Sequence, residues 1–110
     1  MVTIDIKKEL GNDVVTRAHG RRLRDLILSA WMNAPVVVDF DGLQITSVSF
    51  FDEAFGQITL KYGPKELQQK VRLMNLDKFD QALLKDILAS RAREAGRRAR
   101  SRPESVKLHD

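Results

Sequence analysis

Two aspartates that follow an apolar run are the strongest candidates for catalytic side chains in this sequence. Asp39 and Asp41 follow Val36-Val37-Val38 and precede Gly42. A carboxylate at the end of a buried strand can act as a nucleophile while a second one transfers a proton, with Mg²⁺ neutralising a bound phosphate. A calcium loop does not fit, because glycine is the fourth residue of the motif rather than the sixth and the distal glutamate is absent.

The Asp-x-Asp-Gly run resembles the first motif of haloacid-dehalogenase-like phosphatases, which implies Asp39 as nucleophile and Asp41 as acid/base. Leu43 stands where that family usually has threonine, and the remaining chain is short for further catalytic motifs. The competing interpretation is a turn in which Asp41-Gly42 supplies the turn residues. We prefer the turn and predict no catalytic residue; a minimal Mg²⁺-dependent phosphatase is the weakest of three functional hypotheses.

Length and composition limit what the chain can be. Its 110 residues are 43% hydrophobic, enough for one core but not for two domains. Cysteine is absent, and His19 and His109 lie far apart, so we expect neither a metal nor a cofactor. No apolar run approaches the roughly 20 residues of a membrane span, and the first residues lack a signal pattern. We therefore expect a cytoplasmic protein that is not bound to membranes.

Hydrophobic periodicity predicts the elements that carry these residues. Residues 2–6 alternate apolar and polar side chains as in a half-buried strand, and Val14-Val15 could form a second short strand. Thr16 is predicted to cap an amphipathic helix that ends before Pro35. The apolar run 36–40 then predicts a central strand that is covered on both faces.

A second helix is predicted after this strand. Residues 51–62 place Phe51, Ala54, Phe55, Ile58 and Tyr62 on one helical face. Ser49 is the predicted N-cap, and Gly63-Pro64 predicts the end of the helix.

A third strand and a last helix complete the pattern. Residues 70–73 alternate as in a strand, and Asn75 or Asp77 is predicted to cap the helix that follows. The predicted inward face of that helix consists of Phe79, Leu83, Leu84, Ile87 and Leu88. Apolar spacing stops near residue 90, so residues 1–90 are predicted to form the domain and residues 91–110 a basic helix extension with a frayed tail.

The resulting element order is β(β)αβαβα. Strands separated by helices need crossover connections, which favours an α/β domain with a small mixed or parallel sheet of about four strands and helices packed on it.

The run from Thr46 to Gly56, TSVSFFDEAFG, is the most characteristic stretch of the sequence. Placed after the 36–40 strand, it is similar to the STAS-like domains of unknown function, relatives of the anti-sigma factor antagonists, over roughly Val14 to Leu88. The resemblance implies a non-enzymatic regulatory interaction module of bacterial type, whose protein partner could be a GHKL-type ATPase or kinase. It implies a partner-binding surface formed by Ser47, Ser49, Phe50 and Glu53.

A serine at a helix N-terminus is also a candidate for phosphorylation, because a phosphate there meets unpaired N–H groups and the positive end of the helix dipole. When the antagonists' Asp-Ser-Ser-Gly turn is aligned from Asp39, Ser47 takes the aspartate position and Val48 that of the phosphoacceptor. Ser49 and Phe50 follow at the second serine and the glycine. The acceptor is absent in this register, so Ser47 and Ser49 are the remaining candidates. Phe50 points away from the predicted inward face, either towards a partner or under a neighbouring loop.

The basic charge is concentrated near the end of the chain. Six arginines lie in the segment 91–102: Arg91, Arg93, Arg97, Arg98, Arg100 and Arg102. They could neutralise phosphates, and a nucleic-acid accessory role is therefore the second hypothesis, with an acidic partner or a solvated helix end as competing interpretations. The segment has no aromatic residue on which a base could stack. The sequence leaves the oligomeric state open.

Overall fold

Three short strands and six α-helices form the structure, a computed structural model that describes residues 1–13 and 16–100. The strands are Val2–Asp5 (β1), Val36–Asp39 (β2) and Val71–Met74 (β3). The helices are Ile6–Leu10 (α1), Arg17–Ser29 (α2), Val48–Phe51 (α3), Gln57–Tyr62 (α4), Pro64–Lys70 (α5) and Lys78–Arg100 (α6). A 3₁₀ turn spans Trp31–Asn33, and a π-helical turn spans Asp52–Gly56.

The sheet is entirely parallel, with strand order β1-β2-β3. The predicted central strand is confirmed: Val36 and Val38 are fully buried in the core. Val37 is also buried, but it lies on the opposite face, paired with the exposed Thr3 and Arg72. The α/β class is therefore confirmed with three strands in the described residues, whereas the predicted strand Val14-Val15 lies outside them.

The first strand is shorter than its alternating pattern suggests. It ends at Asp5, whose Oδ1 accepts a hydrogen bond from the Lys8 N–H at 3.2 Å and so caps α1. Ile6, predicted as the last strand residue, is the first residue of that helix and is fully buried. The order of elements thus contains a short helix that the periodicity did not predict.

The cap predicted for the next helix is present. Thr16 Oγ1 accepts a hydrogen bond from the His19 N–H at 3.1 Å, one residue before α2 begins. The helix ends at Ser29 and gives way to the 3₁₀ turn before Pro35, so it is slightly shorter than predicted.

Residues 48–62 form one continuous composite helix in which the π-helical turn joins α3 to α4. As predicted, Phe51 and Phe55 face the core, where their ring centroids lie 6.3 and 6.4 Å from that of Phe40. The helices α2 and α6 both pack against this composite helix. It is consequently buried on several sides rather than along one stripe.

Gly63 ends the composite helix with φ of 93°, as its position predicted. Pro64 then begins α5 instead of a loop. Proline suits the first helical position, since its missing N–H would have no partner there. The same dipeptide therefore stops one helix and starts the next.

The last helix begins as predicted and continues into the predicted basic extension. Asp77 Oδ2 accepts hydrogen bonds from the N–H groups of Phe79 at 3.0 Å and Asp80 at 3.4 Å. The helix then runs without a break through residue 90 to Arg100. Phe79, expected to face inward, is 56% exposed, and Asp80 is buried instead. Among the described residues, no helix is both long and apolar enough to cross a membrane.

Candidate partner-binding site

The turn that follows β2 is held by the side chain of Asp39. Its Oδ1 accepts hydrogen bonds from the Asp41 N–H at 3.0 Å and from Asn75 Nδ2 at 2.8 Å. Gly42, with φ of 76°, reverses the chain, and the Leu43 N–H donates to the Phe40 carbonyl at 3.0 Å. This arrangement fits the turn interpretation of the Asp-x-Asp-Gly motif. The described part of the chain contains no group of histidines and carboxylates placed to hold a metal ion.

The loop leading to the composite helix is fixed by the buried carboxylate of Asp80. Its Oδ2 accepts from the Ile45 N–H at 2.6 Å, and its Oδ1 accepts from the Thr46 N–H at 2.8 Å. Asp80 is fully buried, although a charged side chain on a helix is usually exposed. Its spacing from Leu84, four residues away on the apolar face of α6, was the signal that could have revealed its burial.

The serines of this segment have different roles from those predicted. Ser47, not Ser49, is the N-cap: its Oγ accepts a hydrogen bond from the Phe50 N–H at 3.2 Å. Ser49 is the second residue of α3, and its Oγ lies 3.3 Å from that of Ser47. Both serines are partly buried. The loop fixed by Asp80 thus leads to two neighbouring hydroxyl groups at the first turn of the composite helix.

The exposed apolar residue of this turn is Val48 rather than Phe50. Val48 is 57% exposed, whereas Phe50 is fully buried. Of the two alternatives for Phe50, the structure shows packing within the domain rather than exposure to a partner. The reason is a close approach of α2: a Cβ on Gly20 would lie 2.7 Å from the Phe50 carbonyl oxygen and 2.8 Å from Glu53 Cβ. The backbone of α2 thus covers the face on which Phe50 lies.

Glu53, the fourth predicted contact residue, is bound within the domain. Its Oε2 pairs with Arg17 at 2.9 Å and its Oε1 with Arg24 at 3.1 Å. Arg24 also donates to the Glu53 carbonyl at 2.7 Å. Arg24 is partly buried and joins α2 to the π-helical turn.

Asp52 makes the corresponding contact on the other side of the π-helical turn. Arg91 donates from Nε to Oδ1 at 2.7 Å and from Nη2 to Oδ2 at 2.8 Å. These hydrogen bonds, more than the opposing effect of burial, hold the pKa of Asp52 below its usual range. A Cβ on Gly56 would collide with the Asp52 carboxylate, so glycine at position 56 leaves room for this pair.

A groove of 610 Å³ lies beside Val48, between the start of the composite helix and α6. Val48, Leu83 and Ile87 supply apolar surface, and the other lining residues are charged or polar: Arg17, Asp52, Asp86, Ser90 and Arg91. Surfaces that bind another protein usually combine apolar side chains with polar ones in this way.

The predicted basic residues do not form one uniform surface. Arg91 is paired with Asp52 and Glu94, and Arg98 pairs with Glu94 at 2.8 Å. Arg93, Arg97 and Arg100 are exposed on α6, and Arg102 lies outside the described residues. The segment is thus partly structural, since its first arginine ties α6 to the composite helix.

A comparison with known families decides the classification. Residues 19–81 match the family described as STAS-like domain of unknown function (DUF4325). The chain belongs to this family. The matched region includes β2, the turn fixed by Asp80, the composite helix and β3. It therefore contains Val48, whereas Leu83 and Ile87 of the groove lie just beyond it. At the level of the family, a STAS-like domain fits a regulatory module. No curated protein and no solved structure matches the chain.

Proposed function

We propose that this STAS-like domain is a non-catalytic regulatory module that binds a protein partner through the surface around Val48. The observation that carries the proposal is the exposed Val48 at the start of the composite helix, beside the groove containing Leu83 and Ile87. Asp80 holds the preceding loop through two backbone N–H groups, so the apolar side chain is presented from a rigid turn. Rigid presentation of an apolar anchor beside a groove favours binding, because little conformational freedom is lost.

Residue 48, which aligns with the phosphoacceptor serine of the antagonists, is a valine and cannot be phosphorylated. Binding through Val48 therefore does not depend on phosphorylation at this residue. Ser47 and Ser49 flank this position and are the hydroxyl groups at which a kinase could act. A phosphate on either would add a charge of roughly −2 beside Val48. We propose that such a modification changes affinity for the partner rather than creating the binding site.

By analogy with the relatives of STAS-like domains, the proposed partner is a cytoplasmic GHKL-type ATPase or kinase. The two arginines of the groove lining, Arg17 and Arg91, are paired with carboxylates of the domain. The exposed Asp86 is therefore the charge placed to pair with a cationic group of such a partner. The proposed contact surface therefore consists of Val48 and this groove, with Ser47 and Ser49 as regulatory positions. Phe50 and Glu53 support it from within the fold.

The test measures binding to a purified GHKL-type ATPase by isothermal titration calorimetry. Val48→Asp is expected to weaken binding at least tenfold, since a charge would then have to be buried in the interface. Met32→Asp is the matched control, because Met32 is 89% exposed and lies away from the groove lining. Equal affinities of the two variants, or the absence of binding by the unaltered domain, would contradict the proposal.

The non-catalytic part of the proposal has its own test. Hydrolysis of p-nitrophenyl phosphate is measured with Mg²⁺ for the unaltered chain and for Asp39→Asn. We expect no turnover above that of buffer for either protein. Mg²⁺-dependent turnover that disappears in Asp39→Asn would establish the phosphatase alternative.

A further inference from the structure

A second groove, of 660 Å³, lies between α2, α4 and α6. Cationic side chains from all three helices line it: Arg24 from α2, Lys61 from α4 and Arg98 from α6. The acidic residue of the lining, Glu53, is paired with Arg24 and also with Arg17. Arg98 in turn pairs with Glu94 at 2.8 Å, so the three cations of the lining are set against two carboxylates. The positive charge that remains in the groove raises the local concentration of anions.

The same groove contains an accessible aromatic ring. Tyr62, expected from the helical pattern to face inward, is 39% exposed. Its ring centroid lies 5.5 Å from that of Trp31, and Lys61 Nζ lies 5.5 Å from the Tyr62 centroid. The Lys61 side chain is exposed and flexible, so its ammonium group can move from the ring to a phosphate and leave the ring face to a base.

We propose that this groove binds single-stranded nucleic acid, with phosphates near Arg24, Lys61 and Arg98 and a base stacked on Tyr62. Cations along a groove and an aromatic ring for stacking are the two features that such sites combine. The arginine-rich segment has no aromatic residue of its own, but folding places Arg98 in the same groove as Tyr62. The volume is within the range of about 300–1,000 Å³ usual for ligand sites.

This site is separate from the surface proposed to bind a protein. Val48 begins the composite helix and Tyr62 ends it. At about 1.5 Å of rise per residue, the two positions are roughly 20 Å apart along the helix. The two surfaces can therefore be tested independently.

The first test measures fluorescence anisotropy of a labelled oligothymidylate at several salt concentrations. Lys61→Gln/Arg98→Gln is expected to weaken binding and to make the dependence of log K on log salt shallower by about 0.7 for each lost contact. Lys78→Gln/Lys85→Gln removes the same charge from the other part of α6 and is expected to preserve that slope. A slope reduced equally by both pairs, or no binding by the unaltered chain, would overturn the proposal.

The second test concerns stacking. Tyr62→Leu is expected to lower affinity for the oligonucleotide by about tenfold, because the stacking ring is lost, whereas Tyr62→Phe retains it. A duplex of equal length should bind more weakly than the single strand, since its bases are not available to the ring. Equal binding of single strand and duplex, or unchanged affinity of a Tyr62→Leu variant with an unaltered circular dichroism spectrum, would overturn the proposal. Val48→Asp should bind the oligonucleotide normally, whether or not the protein-partner proposal holds.

Discussion

Arg91 and Asp52 form a two-point ion pair, with Nε to Oδ1 at 2.7 Å and Nη2 to Oδ2 at 2.8 Å. The pair joins α6 to the π-helical turn across 39 residues of sequence. Two parallel hydrogen bonds fix the relative orientation of these elements better than a single charge contact would. The part of α6 beyond residue 90 is consequently attached to the domain rather than detached from it.

We first predict that Arg91→Gln lowers the free energy of unfolding by about 2 kcal/mol, because Asp52 would lose two charge-assisted hydrogen bonds. Arg93→Gln is the matched control on the exposed side of the same helix, with an expected change within about 0.5 kcal/mol. Urea unfolding followed by circular dichroism measures both values. Similar values for the two variants would show that the ion pair adds little to stability.

The second prediction concerns pH. Hydrogen bonding to Arg91 holds the pKa of Asp52 below its usual range, so the folded chain binds this proton less tightly than the unfolded chain. The resulting stability is present above the unfolded pKa of about 4 and is lost as pH falls through the lower folded pKa. Asp52→Asn should lose less stability than the unaltered chain in this acidic range. The pKa of Glu94 is also lowered, chiefly by Arg91, so part of the acid sensitivity should remain.

Urea unfolding at pH 7, 5, 4 and 3 measures this difference between Asp52→Asn and the unaltered domain. Stability curves that remain parallel over the whole range would contradict the assignment of acid sensitivity to Asp52.

The third prediction compares two helical glycines. Gly56→Ala should destabilise the fold by about 1–3 kcal/mol, because its Cβ would collide with the Asp52 carboxylate. In Gly96→Ala the new Cβ would meet Arg100 Nη1 at 3.4 Å, the end of a flexible side chain. This variant should gain about 0.5–1 kcal/mol from improved helix propensity. Thermal unfolding measures both, and a Gly56→Ala variant as stable as Gly96→Ala would refute the close packing at residue 56.

The fourth prediction distinguishes the two serines. Ser47→Ala should cost about 1 kcal/mol, since the Phe50 N–H loses its capping acceptor. Ser49→Ala lacks this effect, and we expect a change of less than about 0.5 kcal/mol. Chemical unfolding of both variants measures the difference; a larger loss for Ser49→Ala would place the cap at the residue first predicted from the sequence.

The fifth prediction concerns the loop anchor. Asp80→Ala removes the acceptor of the Ile45 and Thr46 N–H groups, and we expect a loss of about 3 kcal/mol. Asp86→Ala, at an exposed position of the same helix, is the control with little expected change. Amide hydrogen exchange should speed up at residues 45 and 46 in Asp80→Ala alone. Unchanged protection of these two amides would show that another contact fixes the loop.

The correct sequence predictions rest on local patterns. The cap at Thr16, a central strand beginning at Val36 and the end of a helix at Gly63 follow from neighbouring residues and were all confirmed, although the strand ends at Asp39, one residue earlier than predicted. The helix α1 escaped prediction because residues 2–6 alternate as in a strand, while the capping carboxylate of Asp5 starts a helix at Ile6. The helix α5 was not predicted, because the sequence Gly63-Pro64 can both end one helix and begin another.

Short-range periodicity, capping and turn residues encode the α/β class, the family resemblance and the position of the turn before the composite helix, so these features could be predicted from the residues alone. Which side chains of that turn face solvent depends instead on contacts between distant parts of the chain. Gly20 lets α2 approach Phe50 and bury it, and Asp80 reaches back from α6 to hold the loop that leaves Val48 exposed. Tyr62 and Arg98 likewise meet only when α4 and α6 pack together. These contacts join residues from different elements, so their geometry depends on how the helices pack and not on any local pattern.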